Sequence, residues 1–251
     1  MTALAVFRAE RIYTGSGTVV EHGYVLVDGG VIVAVERSGV EPPLSAELVD
    51  LGDITLLPGP IDAHVHLAFD ATGEVIAPMF GLDDAALLDL MHANAQLHLD
   101  AGVTTVRDLG DRRFGSLVLR DRHRSDPASG PELVVSGPPL TRRQGHCWFL
   151  GGEADTVDEL RAAVAERAAR RCDVVKVMAT GGVITPGFLP HQSQYGQRSC
   201  GRSSRQPTST GCRPSPTRTG QRASATVSLP ACIRSSTAPS STRRASALIG
   251  M

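Results

Sequence analysis

The chain has 251 residues, 41% apolar and 4% aromatic, with 25 basic against 26 acidic side chains. That length suits one large domain, or one domain beside a smaller one, with enough apolar residues for a core. No run of about 18 apolar residues is present, which argues against a membrane-spanning helix, and the N-terminus lacks the layout of a secretory signal.

Five cysteines at irregular spacing form neither a disulfide framework nor a CxxC knuckle, so a reducing cytoplasm is the expected location. The near-neutral charge averages two unlike stretches. Residues 1–196 hold all 26 acids against 16 basic residues, a net of −10, whereas 197–251 hold nine arginines and no acid. The same 55 residues carry 12 Ser, 7 Thr and 5 Pro and show no helical or strand period. Arginine outnumbers lysine 24 to 1, which reads as GC-biased codon use and not as a nucleic-acid signature.

In chain order, residues 1–57 read as short strands and turns. Ala5–Phe7, Tyr24–Val27, Val31–Val35 and Ile54–Leu57 are strand candidates, and Asp28-Gly-Gly30 predicts a hairpin turn. From residue 58 strands and helices alternate. Ile61–Leu67 is a strand candidate. Asp83 is placed to cap a helix running through Leu99, with Leu87, Leu88, Met91, Ala95 and Leu99 at helical spacing and Gly102 beyond its end. Val103–Val106 is a strand, Phe114–Arg124 a helix and Glu132–Val135 a strand. Thr156 caps a helix over Val157–Arg171, and Asp173–Met178 is the fourth strand. Strand–helix alternation with short loops implies βα units and a parallel sheet.

Two segments carry chemistry. Pro58-Gly-Pro-Ile-Asp-Ala-His-Val-His66 sets two histidines two residues apart, and positions i and i+2 of a strand face the same side. His64 and His66 can therefore converge on one ion. Lys176 is the only lysine and lies in a β-branched apolar run. Burial there favours a neutral amine, able to form a Schiff base or to add carbon dioxide and ligate metal as a carbamate. A strand-end lysine reaching solvent is the bland alternative.

Residues 1–196 resemble the amidohydrolase superfamily, in its imidazolonepropionase-like and Xaa-Pro dipeptidase-like branch. The matching pieces are Leu57–His66, Ala101–Gly110, Gly145–Gly152 and Val174–Val183. The resemblance implies an α/β fold: a (β/α)₈ TIM-type barrel, of which about four βα units fall in 58–196. It implies that 1–57 is half of a small β-sandwich. It further implies one or two divalent ions, zinc first, held by His64, His66 and a carboxylated Lys176. Hydrolysis of a carbon–nitrogen bond in an amide, cyclic amide or dipeptide-like substrate would follow.

Around the ligands, Asp62 either orients a histidine or merely ends a turn. Asp108 closes the second strand and either supports the site there or makes a structural hydrogen bond to a loop, and His146 is the candidate substrate contact. Gly181 and Gly182 permit a tight loop nearby. His22, His92, His98 and His123 read as ordinary turn or helix-surface residues, and Cys147 and Cys172 lack a nucleophile's partners.

The family pattern also needs two later histidines and an aspartate that moves the proton. This sequence has no histidine after His191 and no aspartate after Asp173, so no catalytic acid/base is identified. The expectation is a reading-frame shift near Gly196, an irregular tail over 197–251, early termination and little or no turnover. The competing readings are a non-catalytic fragment or binding protein that self-associates through an open sheet edge, a Schiff-base aldolase, and a basic-tailed nucleic-acid binder. The last is disfavoured because the tail lacks lysine and aromatics.

Overall fold

The computed structural model describes residues 4–70, 74–196 and 225–228. The fold is mixed α/β, in two compact units. One unit holds residues 4–61 with 98–105, and the other holds 62–97 with 106–196 and the strand at 225–228.

The first unit is a five-stranded sheet. β1 (Ala5–Tyr13), β2 (Val19–Asp28) and β3 (Val31–Glu36) form an antiparallel meander. β4 (Glu47–Asp50) and β5 (Thr55–Leu56) pair with β1 in parallel. The β2–β3 connection is the expected hairpin: Gly29 and Gly30 sit at φ 58° and 77°. Positive φ at both central residues is what a two-residue turn matched to strand twist requires. Ala9, Ile12, Val25 and Leu56 are its core, with Phe7, Val20, Val27 and Leu51 packed on them. β1 and β2 extend well beyond the short runs expected, and β4 was not anticipated.

In the second unit β6 (Ile61–Val65), β7 (Thr105–Asp108) and β8 (Glu132–Val135) form a three-stranded sheet in that order. The bonds Thr104 N–H to Pro60 O and Leu109 N–H to Val65 O keep one constant offset, which only parallel pairing gives. β9 (Val174–Val177) pairs antiparallel with β10 (Ala225–Ser228) and meets Leu140 in a parallel bridge. Apart from β10, the irregular tail expected over 197–251 lies outside the described residues.

The helices are α1 (Ala77–Gly81), α2 (Asp84–Asp100), α3 (Gly115–Ser125) and α4 (Val157–Ala169). Asp83 accepts the Ala86 N–H at 2.8 Å, as a cap should. α2 buries Leu87, Met91 and Ala95, three of the five apolar positions read from its period. α4 opens on a full capping box, Thr156 accepting from Glu159 N–H and Glu159 accepting from Thr156 N–H. One expectation is overturned on α3. His123 is only 3% exposed and shares a hydrogen bond with His92, so neither histidine is an ordinary surface residue.

Candidate metal centre

Lys176 lies on β9 between Val175 and Val177 and is 1% exposed. Its amine donates to Nε2 of His64 at 3.5 Å, across 112 positions of sequence. Burial pulls the lysine pKa down to about 8, the nearby Cys147 thiol opposing and Arg107 adding to the effect. Roughly a tenth of the amine is then neutral at pH 7, against a few parts in ten thousand for an ordinary lysine. Carbon dioxide reacts only with that neutral form.

His64 lies on β6 and His66 one residue past its end, their ring centroids 5.6 Å apart and edge to face. Both imidazoles are held down to about 4, burial being the largest cause; Lys176 adds to this in each, and His66 adds to it in His64. They are neutral at pH 7, the state a metal ligand needs. The tautomer of His66 is also set. Its Nδ1 lies 3.0 Å from the Gly110 carbonyl, which only accepts, so Nδ1 carries the proton and Nε2 keeps its lone pair. The ring stacks on Phe69 at 4.7 Å, an anchor not anticipated from sequence.

Asp108 is fully buried at the end of β7. Its two carboxylate oxygens accept from Leu67 N–H at 2.9 Å and Gly110 N–H at 3.0 Å. It therefore braces the backbone on both sides of the His66–Gly110 contact without touching an imidazole. Asp62 accepts from the backbone N–H of His64 at 3.1 Å. Asp111 was not singled out by its sequence context, yet it is completely buried and accepts from Ser116 N–H at 2.5 Å. Burial raises both carboxyls, Asp108 to about 6 and Asp111 to about 8, with the Asp108 charge adding to the shift of Asp111.

His146 and Cys147 sit in the loop after β8. Burial lowers the His146 pKa, and Lys176 and His66 lower it further, so its imidazole lies within electrostatic reach of both. The ring lies against Gly182, where an added Cβ would come 2.3 Å from His146 Nε2. Gly181 has a comparable reason to be glycine, since a Cβ there would meet the Leu189 carbonyl at 2.5 Å. Cys147 Sγ is 3.6 Å from His146 Nε2, but burial holds the thiol near 11, the opposite of an activated nucleophile.

Two neutral imidazoles and a buried amine suit a divalent cation that takes nitrogen and oxygen donors. Among the described residues no group of three or more His, Cys, Asp or Glu is placed to hold a metal ion.

The Amidohydrolase family model matches residues 55–196. Among curated proteins, an allantoinase of Streptomyces avermitilis is 45% identical over 62 residues, 25% of this chain and 14% of that protein. An uncharacterized protein of Mycobacterium tuberculosis is 30% identical over 142 residues, 57% of this chain and 34% of its own length. Among solved structures, a Xaa-Pro dipeptidase with methionine in its active site matches with a TM-score of 0.70 at 24% identity, covering 78% of this chain and 52% of that one. A prolidase complexed with N-methylphosphonate-L-proline matches with a TM-score of 0.67 at 26% identity, covering 78% and 52%. The chain thus spans 14% and 34% of these curated relatives and about half of the solved structures it matches.

Proposed function

Since the chain belongs to the amidohydrolase family, we propose that residues 58–196 are the first four βα units of a metal-dependent (β/α)₈ hydrolase acting on carbon–nitrogen bonds. Residues 1–57 are read as half of its β-sandwich. The observation that carries this reading is the approach of Lys176 Nζ to His64 Nε2 at 3.5 Å, with the His66 ring 5.6 Å from that of His64. His64, His66 and a carbamate on Lys176 would hold one or two divalent ions, zinc first. Such a metal activates water and polarises a carbonyl.

The protein's own groups prepare the site. Gly110 orients His66, Asp108 holds Gly110, and burial keeps both imidazoles deprotonated. His146 is the substrate contact in this reading, and the substrate is an acyl amino acid or dipeptide-like amide; the ligand of the solved prolidase, N-methylphosphonate-L-proline, is likewise an N-substituted amino acid.

Among the described residues no side chain is identified as the group that would shuttle the proton. The last aspartate is Asp173, whose carboxylate is bound to Arg120 and the Val135 N–H. The family match also stops at residue 196, where the Arg/Ser/Thr/Pro-rich stretch begins. That coincidence supports a frame shift there and a chain with little or no turnover. A non-catalytic fragment or binding protein is the second reading, favoured by the same missing acid/base.

Zinc titration of the purified chain in bicarbonate buffer, followed by an assay on N-acetyl-L-amino acids, tests the first reading. Stoichiometric zinc with negligible hydrolysis is expected. No zinc uptake by the folded protein would leave only the binding-protein reading, and hydrolysis at rates typical of intact enzymes would refute the loss of turnover. Sequencing the gene around the Gly196 codon checks the frame shift.

A further inference from the structure

Gln194 did not stand out in the sequence, yet it is 5% exposed and uses both ends of its amide. Nε2 donates to Met178 O at 2.7 Å and to Thr180 O at 2.9 Å, carbonyls two and four residues past Lys176. Oε1 accepts from the His146 N–H at 2.7 Å. The orientation of the amide is fixed by these partners, because a carbonyl oxygen facing two carbonyls would find no proton. Thr141, itself fully buried, holds the other side of the same residue by donating its hydroxyl to His146 O at 2.8 Å. The backbone of His146 is thereby gripped at both its N–H and its C=O.

The neighbourhood leaves little play. A Cβ on Gly145 would stand 2.3 Å from Gln194 Oε1, and the Gln194 N–H donates to Ala179 O at 2.8 Å. The His146 ring that this grip presents has a buried Nδ1 without a hydrogen-bond partner among the described residues, and its other face is closed by Gly182.

We propose that Gln194 is a positioning residue: its buried amide bolts the loop carrying His146 to the carboxyl end of the strand carrying Lys176, and so fixes where that imidazole meets the substrate. The inference rests on the reading of this cleft as an amide-hydrolase site. A residue that only filled space would be replaceable by one of equal volume. Gln194 would not be, since its work lies in one acceptor and two donors.

The test compares the full chain with its Gln194→Met and Gln194→Glu variants. The readouts are the side-chain NMR signals of His146, assigned with a His146→Gln control, and the affinity of the zinc-treated protein for N-acetyl-L-proline. Gln194→Met keeps the volume and removes these three bonds together with the 3.3 Å approach of the Thr141 hydroxyl to Oε1. Gln194→Glu keeps the acceptor for His146 N–H and loses both donors.

In both variants the His146 signals are expected to shift or broaden, with N-acetyl-L-proline bound at least tenfold more weakly and the Val174–Val177 amides still protected. His146 signals that superimpose on those of the parent overturn the proposal. Shifted signals in the variants, with a parent chain that does not bind N-acetyl-L-proline, uphold the positioning role and refute the substrate reading. Should Gln194→Met fail to fold, Gln194→Glu decides by the same criteria. If neither folds, a parent chain whose His146 ring is averaged among several orientations would overturn the proposal, and a single fixed orientation would uphold it.

Discussion

The carbonyl of Gly110 accepts the Nδ1 proton of His66 at 3.0 Å, and Asp108 in turn accepts the Gly110 N–H at 3.0 Å. A carboxylate on β7 thus holds the carbonyl that decides which nitrogen of His66, just past β6, is left to bind a ligand. Outer partners of this kind set the tautomer and ring angle of metal-ligating histidines. The buried charge is useful here only through the backbone it orients.

Lys176 should be separable from its neighbours by carbon dioxide. Bicarbonate is expected to raise zinc uptake by the parent chain and to have no effect on Lys176→Met, whose zinc affinity falls at least tenfold. The variant should also reveal a cost of burial. The folded-state pKa of about 8 lies below the ordinary lysine value, so from about pH 8 to 10 the unfolded chain binds the extra proton and folding stability rises with pH. Lys176→Met should lack that rise and match or exceed the parent in stability below pH 8. Urea midpoints at pH 7 and 9.5 would check both statements; an unchanged pH slope in the variant would contradict them.

The carboxyl pair Asp108–Asp111 has the opposite sign. Both are raised by burial, and Asp111, at about 8, keeps its proton in the fold where the unfolded chain releases it near 4. Stability contributed by the protonated form is complete below pH 4 and drains away as pH rises towards 8. Asp111→Asn retains an acceptor for the Ser116 N–H and cannot ionise. Relative to the parent it should gain at least about 1 kcal/mol between pH 5 and 8. Parallel stability–pH curves for the two proteins would rule out a protonated Asp111.

What the sequence made legible was local. Asp28-Gly-Gly30 specifies its turn by composition, Asp83 and Thr156 announce their caps, and the spacing of His64 and His66 follows from strand geometry alone. What stayed hidden depends on distant segments meeting. Glu47–Asp50 has no alternation to mark it as a strand and earns that status by pairing with β1. Gln194 lies in an aperiodic loop, and its role exists only because Thr141, His146 and Met178 come together around it. His123 resembles a helix-surface residue until the 130–131 turn folds over it. Side chains whose task is to join segments leave no period to read.

Thr156 offers a clean test of local encoding. The capping box satisfies two N–H groups that α4 would otherwise leave to solvent. Thr156→Ala should cost about 1 kcal/mol and Thr156→Ser only a few tenths, because serine keeps the accepting oxygen. Chemical denaturation with helix-sensitive circular dichroism measures both. Equal losses in the two variants would mean that the threonine methyl, not its hydroxyl, stabilises the helix start.

The pairing of His92 with His123 predicts an acid-sensitive joint between α2 and α3. His123 donates from Nδ1 to Pro131 O at 2.9 Å, which leaves its Nε2 to accept from His92 Nδ1 at 3.3 Å. This arrangement holds one proton per ring, and a second proton on His123 would remove the acceptor that His92 uses. Burial is the main reason the His123 pKa is lowered; His92 and Arg122 lower it further, while the Pro131 bond and Glu132 oppose them. The unfolded histidine takes up its proton near 6.5, whereas the folded one resists. Stability from the neutral ring is therefore complete above that pH and is lost as pH falls below it. His123→Gln, which preserves a donor for Pro131 O, should be less stable than the parent at pH 7.5 and lose less stability between pH 7 and 5. Gly130→Ala should act in the same region by steric means, since its Cβ would stand 2.2 Å from the His123 ring. A His123 imidazole that titrates at or above 6.5 by NMR would show that its neutral form is not what the fold selects.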